Sequence, residues 1–295
     1  MQLSIIIVSY NVKELLKNCL DSLKIATKSI NSEVYVVDNA SIDSTAGMVK
    51  KKFPQVKLIA NKKNLGFAKA NNQAFKKASG QYLLILNPDT KLMPETITKM
   101  ISFMQKDKSI GIATCRVELA NGSLDRDCRR HFPTPWRAFT HFSKLAKIFK
   151  SSKLFDQYYM GYIPDDKVHE IDACVGAFMF IRKSALEKVG LFDEDFFFYG
   201  EDLDLCWRFK KQGYKIVYMP ETKIIHFKGA SSGMKKSSRD LTSVTKESKK
   251  KALYESVHSM EIFYRKHYIA NYPFFVNWVV LTSFKLLEKI RLLFV

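Results

Sequence analysis

Two neighbouring acids (Glu201-Asp202), three strand-end groups (Asp38, Asp89 and His226) and one glycine-opened helix starting at Gly66 hold most of the chemistry open to this chain. A carboxylate just past a buried strand, as Asp38 is past Val34–Val37, can accept from a nucleobase N–H or a ribose hydroxyl. An Asx turn is the other use of such a residue, and Asp43 fits it better. Asp89 ends the string Asn87-Pro88-Asp89 after the wholly apolar Tyr82–Leu86. Pro88 stops ladder pairing there and helps hold the carboxylate at the strand edge. A rim carboxylate of this kind suits Mg2+ or Mn2+ shared with a diphosphate, although turns rich in Asn, Pro and Asp are common.

Glu201 and Asp202 open a helix after Phe196-Phe197-Phe198. Acids in a first helical turn answer the helix dipole. Their alternative use is as a general base whose pKa is raised by the apolar Phe196–Phe198 and Trp207. His226 follows Ile224-Ile225, with Gly229, Ser231, Ser232 and Gly233 behind it; it is a structural histidine or completes a metal–diphosphate site. In Asn64-Leu65-Gly66-Phe67-Ala68, the glycine lets a ligand approach backbone amides at a helix start that favours an anion. Asn71 and Asn72, poor interior helix formers, point to a contact; Asn64 could instead cap the helix. The remaining histidines have no partner spacing and are assigned nothing.

The elements that must position these groups alternate in type. Apolar runs Leu3–Val8, Val34–Val37, Val56–Ala60, Tyr82–Leu86 and Gly111–Cys115 read as strands. Helical spacing fills Val12–Leu23, the stretch capped by Asp43 to Phe53, and Gly66–Ser79 closed by Gly80; another helix begins near Pro94. Such alternation predicts parallel βαβ units, with ligands bound beyond the carboxyl ends of the strands. Those ends carry Ser9-Tyr10-Asn11, Asp38-Asn39, Asn61–Asn64 and Asn87–Asp89, so polar residues converge on one edge. Beyond an Asn121-Gly122 hairpin signal, residues 126–170 are basic, aromatic and turn-rich (Arg129, Arg130, Trp136, Tyr158), as in an inserted lid or acceptor-facing segment. Regular elements return as strand Cys174–Ile181, helix Ser184–Val189, a helix ending at Gln212, and strands Lys215–Met219 and Lys223–Phe227.

Composition narrows the classes. With 46% apolar and 26% charged residues the chain is neither disordered, collagen-like nor a polytopic membrane protein. The formal charge of +19 calls for a polyanionic partner: nucleic acid, phosphorylated substrate or anionic lipid. Five cysteines without a C-x-x-C pair read as buried reduced thiols. The start MQLSIIIVSYN lacks a signal peptide's basic region and cleavage site, so a cytoplasmic setting is expected.

Taken in order, these pieces resemble glycosyltransferase family 2, inverting enzymes of GT-A fold, over residues 3–233. The likeness rests on Val8-Ser9-Tyr10-Asn11, Val37-Asp38-Asn39-Ala40-Ser41, Asn64–Ala68, Asn87–Asp89, Gly176-Ala177-Phe178, Gly190–Asp193, Phe198–Asp204, Gly213-Tyr214 and His226. The bacterial rhamnosyltransferase-like subgroup, which builds surface polysaccharides, is most similar. The resemblance implies an α/β GT-A fold: a Rossmann-like, mostly parallel central sheet flanked by helices, with a C-terminal helical extension. It implies a nucleoside pocket lined by Ser9, Tyr10 and Asp38, and Asn64, Gly66 and Asn87 near a dTDP- or UDP-linked sugar. Gly176 and Ala177 would lie beside that sugar, and Asp89 and His226 would bind the divalent metal. Asp202 would be the base taking the proton from an acceptor hydroxyl, and Glu201 would help bind the acceptor or tune Asp202. Asn87 stands where the family's metal motif has a first aspartate, which removes one anionic ligand. The Gln-x-x-Arg-Trp string of processive synthases is absent, so one or a few sugars per glycan or lipid-linked acceptor are expected.

The domain reading is a catalytic unit at 1–233, divided at 115/116 into nucleotide-binding and acceptor halves, and a basic linker with helices at 234–295. In residues 274–295, Asn277, Lys285, Glu288, Lys289 and Arg291 fall on one helical arc, opposite Val276, Val279, Leu286, Leu287 and Ile290. That pattern suits an in-plane helix at the inner face of the plasma membrane. Packing on the domain, or on a second copy in a homo-oligomer, is the alternative. Two rivals stand beside the transferase: a non-catalytic or differently specific sugar-nucleotide binder, and a basic nucleic-acid-binding protein. The second predicts a concentrated basic recognition element, and acids at the strand ends would repel a phosphate backbone, so no nucleic acid is expected.

Overall fold

The computed structural model describes residues 1–228 and 246–293. Strands β1 (Leu3–Ser9), β2 (Ser32–Asp38), β3 (Lys57–Ala60) and β4 (Tyr82–Leu86) run parallel in the order β3-β2-β1-β4. Helices α1 (Lys13–Ala26), α2 (Thr45–Lys52) and α3 (Phe67–Phe75) connect them. This is the expected βαβ half. β1 and β4 are apolar and buried because helices cover both faces. Asp43 joins two helix starts: it accepts from Thr45 N in α2 (3.1 Å) and from Lys13 N in α1 (2.9 Å).

α3 ends at Phe75, short of the expected Ser79. Glu33 accepts from both the amide and the hydroxyl of Ser79 (2.8 Å each), which draws the chain out of the helix. At Gly80 a side chain would strike the Ser4 backbone.

The second half turns the sheet mixed. β6 (Ile110–Leu119) follows α4 (Thr96–Lys106), while β8 (Phe178–Arg182) inserts antiparallel between β4 and β6. β9 (Lys215–His226) runs parallel to β6 as one strand, not the two expected. Its pairing jumps from Met219 to Lys223 around Pro220, a bulge that lets a residue without an amide hydrogen sit in a strand. Two short strands were not anticipated: β5 (Thr90–Leu92) and β7 (His169–Glu170), both antiparallel to β9. Between β6 and β7 lie α5 (Pro135–Phe142) and α6 (Leu145–Ile148). Then come α7 (Lys183–Val189) and α8 (Glu201–Lys211).

α9 (Lys246–His267) and α10 (Phe274–Leu293) form an antiparallel hairpin: Tyr264 meets Asn277 and Ser256 meets Arg291. α9 is docked on α8 by Trp207 against Phe263, His267 and Tyr268, and by His267 Nε2 at 2.8 Å from Asp204. The polar arc expected on α10 is divided. Asn277 and Arg291 turn inward to Tyr264 and Ser256, while Val279, Leu286 and Ile290 stand exposed. Partners on α9 therefore decide the rotation of the helix. No helix among the described residues is long and apolar enough to cross a membrane. The 233/234 boundary, Gly229–Gly233 and Lys235-Lys236 lie outside the described residues. All five cysteines are free and buried.

Candidate functional site

The carboxyl ends of β1, β2, β4 and β9 and the start of β8 share one edge of the sheet, and every strand-end residue singled out above lies on it. Ser9 and Asp38 are register neighbours there, both buried. Ser9 Oγ and Asp38 Oδ1 have no hydrogen-bond partner among the described residues. Leaving such a group unmet costs about 1–3 kcal/mol, so the pair marks a place built for something polar. Burial raises the Asp38 pKa against hydrogen bonds from Ser41 that lower it. Tyr10 is partly exposed at the rim. The loops after β1 and β2 are tied together by Asn11 N to Ser41 Oγ (2.9 Å) and Ile42 N to Asn11 Oδ1 (2.8 Å).

Asn64 and Gly66 acquire structural reasons. Asn64 Oδ1 accepts from Asn39 Nδ2 (2.8 Å) and Gly66 N (2.9 Å), while Asn39 Oδ1 accepts from Leu65 N (3.0 Å). Gly66 has φ +82°, and a Cβ there would collide with the Phe197 carbonyl. That carbonyl accepts from Phe67 N at 2.8 Å. The first amide of α3 is thus held by the chain itself and is not open to an anion. Asn72 likewise finds its contact inside the chain, bonding both N and O of Phe192. These links bring Phe196–Tyr199, and with it the start of α8, up to this edge of the sheet.

Asn87 N donates to Ala177 O (3.2 Å), and Gly176 lies under the Phe67 ring. Asn87, Gly176 and Ala177 therefore form the joint between β4, β8 and α3.

Asp89 and His226 meet because β5 pairs with β9, setting Thr90 opposite His226. His226 Nε2 is 3.3 Å from Asp89 Oδ1, and Nδ1 is 3.1 Å from Asp125 Oδ2; all three residues are buried. Two ligand atoms held cis at ~2.1 Å from one ion lie ~3 Å apart, so the Asp89–His226 spacing fits a shared divalent cation. Asp125 stands where a carboxylate orients a metal-binding imidazole from behind. Among the described residues no group of three His, Cys, Asp or Glu side chains forms a complete metal cage. Asp89 and His226 would supply two donor atoms to such an ion, and the rest of its coordination sphere would have to come from other groups. Burial works against a charged His226, yet Asp89 and Asp125 outweigh it and lift its pKa to about 9. Asp125 is drawn down to about 2: burial opposes this, but His226 and Lys228 prevail.

The charges continue from there. Lys228 bonds Asp125 (2.6 Å) and Asp127; Asp127 is 3.7 Å from Arg130; Arg130 Nη2 is 2.8 Å from Asp202 Oδ2. A ladder of alternating sign thus links the Asp89–His226 pair to the acid at the start of α8. Arg130 is pinned through its backbone by the bridge to Ala173. Asp202 Oδ1 accepts from Leu203 N at 2.7 Å. Beside it Glu201 is buried, with Oε2 lacking a partner among the described residues. Burial first, and the Asp202 charge second, push its pKa to about 8.

Arg130, Asp125, Asp127 and Lys228 were not among the predicted site residues. The signal was present in part: Arg129-Arg130 opens the basic aromatic stretch, and Asp125 and Asp127 share a two-residue spacing. Nothing local tied them to His226 or Asp202. His131 holds Asp172 (2.7 Å) and Tyr162 (2.8 Å), a bracing contact inside the same insertion.

With this geometry established, comparison with known proteins is informative. The family model "Glycosyl transferase family 2" matches residues 4–190. An N-acetylglucosaminyl-diphospho-decaprenol L-rhamnosyltransferase of Mycobacterium tuberculosis is 26% identical over 242 residues, 78% of this chain and 78% of that protein. Rhamnosyltransferase WbbL of Escherichia coli is 27% identical over 172 residues, 55% of this chain and 61% of its own length. Among solved structures, the mannosyltransferase PcManGT from Pyrobaculum calidifontis, in complex with GDP-Man and Mn2+, superposes with TM-score 0.55 at 15% identity. That superposition covers 99% of this chain and 87% of that one, a likeness of fold.

Proposed function

The chain belongs to glycosyl transferase family 2 and is a glycosyltransferase, and from that premise we propose that it moves a sugar, with inversion, from a nucleoside-diphosphate donor to an acceptor hydroxyl. The names of the two bacterial relatives support rhamnose as the sugar, and the motif resemblance adds a dTDP- or UDP-linked donor. The diphospho-decaprenol in the first name favours a lipid-linked acceptor, and a glycan acceptor and a place in the building of cell-surface polysaccharide follow from the motif resemblance. Contact with the inner face of a membrane through α10, whose Phe274, Phe275 and Trp278 are exposed, belongs to the same reading.

One observation carries it: buried Ser9 Oγ and Asp38 Oδ1, without a hydrogen-bond partner among the described residues, lie on the same sheet edge as the Asp89–His226 pair. The first pair offers polar groups to a nucleoside, with Tyr10 at its rim. Asn64 and Gly66 shape the adjoining loop, and Asn87, Gly176 and Ala177 form the wall beside the sugar. Asp89 and His226 would hold the divalent ion, and a mixed N,O pair suits Mn2+ better than Mg2+, which demands an oxygen octahedron. Such an ion supplies neutralisation of the charge that develops on a departing diphosphate. Asp202 takes the proton from the attacking hydroxyl, its carboxylate aligned by Arg130 at one oxygen and Leu203 N at the other. Glu201, its pKa raised by burial and by the neighbouring Asp202 charge, limits the negative charge gathered beside the base.

Thermal shift with dTDP, UDP and GDP, each with Mn2+ or chelator, tests the reading. Nucleotide at 100 times its Kd adds ~2.7 kcal/mol, and metal-enhanced stabilisation by dTDP is the expected result. Folded protein that none of the three stabilises would remove the donor pocket.

A further inference from the structure

The insertion between β6 and β7 carries an unusual outer face. From Pro133 to Phe155 it contains five basic residues and no acid. Trp136, Phe139, Phe142, Ile148, Phe149 and Leu154 are 42–70% exposed. Lys144, Lys147, Lys150 and Lys153 are exposed between and around them. The apolar side chains are organised: Trp136 packs at a tilt against Phe139 and Phe155, Phe149 stacks 4.8 Å from Phe155, and Trp136 Nε1 donates to Leu154 O at 3.0 Å. Both ends of the excursion are fastened to the charge ladder. It leaves at Arg130, which holds Asp202, and returns where Asp156 meets Arg126 and Tyr159 donates to Asp127 (3.0 Å).

We propose that this face, α5 to Leu154, docks on an anionic lipid surface and thereby sets the start of α8 against acceptors lying in the bilayer plane. Exposed aromatic and aliphatic side chains alternating with lysine, without acids, are the composition of a segment seated at a headgroup boundary. A tryptophan with one polar edge suits the same depth. Protein–protein interfaces are depleted in lysine, and a second copy would bring its own charge of +19 against the patch. Single-stranded nucleic acid would stack on the rings but would leave Ile148 and Leu154, 70% and 54% exposed, without a partner. The value of such docking rests on the transferase reading above; the docking itself is measured without turnover.

The experiment is co-sedimentation of the full chain with vesicles of phosphatidylcholine alone or mixed with phosphatidylglycerol. Two variants go beside it: Phe139→Ser/Phe142→Ser/Ile148→Ser, and Lys144→Gln/Lys147→Gln/Lys150→Gln/Lys153→Gln. Binding to the anionic vesicles only, weakened about tenfold or more in each variant at an unchanged melting temperature, is the expected result. The lysine variant alters only exposed heads, so the test survives if the apolar variant fails to fold. Wild-type protein that ignores anionic vesicles would overturn the proposal. So would variants that bind as tightly as wild type, which would leave α10 as the contact. A dimer that the apolar variant converts to monomer, with no vesicle binding, would assign the face to a second copy. None of these failures touches nucleotide binding, which thermal shift reads separately.

Discussion

The ends of β1 and β2 and the region from Asp89 to Asp202 lie along the same sheet, yet they handle buried polarity in opposite ways. Ser9 Oγ and Asp38 Oδ1 have no hydrogen-bond partner among the described residues, although Ser41 bonds the Asp38 carboxylate, so a cost of desolvation stays unmet there. From Asp89 to Asp202 each charge meets an opposite one through His226, Asp125, Lys228, Asp127 and Arg130. A ligand entering the first region gains hydrogen bonds without displacing any. One entering the second must exchange places with an ion pair. On the proposed function, recognition falls to the unsatisfied region and charge handling during reaction to the satisfied one.

Removing the ladder's last member has the largest expected effect. Asp202→Asn should lower the single-turnover rate by ~10²–10⁴-fold, and a wild-type rate would detach the ladder from the chemistry. Next, Asp125→Asn takes the orienting carboxylate from His226. The Mn2+ concentration for half-maximal activity should rise by about 10–100-fold, and an unchanged metal titration would make Asp125 a structural residue only.

The same contrast appears between two glutamates. Burial opposes the charge on Glu33, but Lys57, Ser4 and Ser79 outweigh it and draw its pKa to about 2. Glu201, without such partners, rises to about 8. A depressed acid stabilises above its unfolded pKa, and that stability is lost as pH falls towards about 2. A raised acid stabilises below its unfolded pKa, and that contribution is lost as pH rises towards about 8. Urea unfolding across pH should therefore show Glu33→Gln less stable than wild type at neutral pH, the gap closing in acid. Glu201→Gln should gain on wild type as pH rises from about 4.5 to about 8. The smallest effect is Ser9→Ala: removing a partnerless hydroxyl should leave melting unchanged or raise stability by up to ~1 kcal/mol, while weakening nucleotide binding.

Much of this was legible beforehand, for a local reason. Apolar runs, helical spacing and the polar residues that end each run are encoded within a few neighbouring positions. The βαβ half and the gathering of Ser9, Asp38, Asn64 and Asn87–Asp89 at one edge followed from them. β5 is three residues long and escaped notice because Thr90-Lys91-Leu92 has no pattern of its own; it exists because β9 offers a free edge. Asn64 and Gly66 were noticed for a ligand, and their immediate partners are Asn39 and the Phe197 carbonyl.

By itself, then, the sequence determined the order of elements, the polar edge and the family to which the motifs belong, because period and strand-end residue type are properties of adjacent positions. Only the tertiary structure decided that His226 lies between Asp89 and Asp125, the latter 101 residues away, and that Arg130 rests on Asp202 across 72 residues. It alone decided which side of α10 turns towards Tyr264 and Ser256. Ion-pair partners and exposed faces depend on how remote elements register against one another, and no local pattern carries that information.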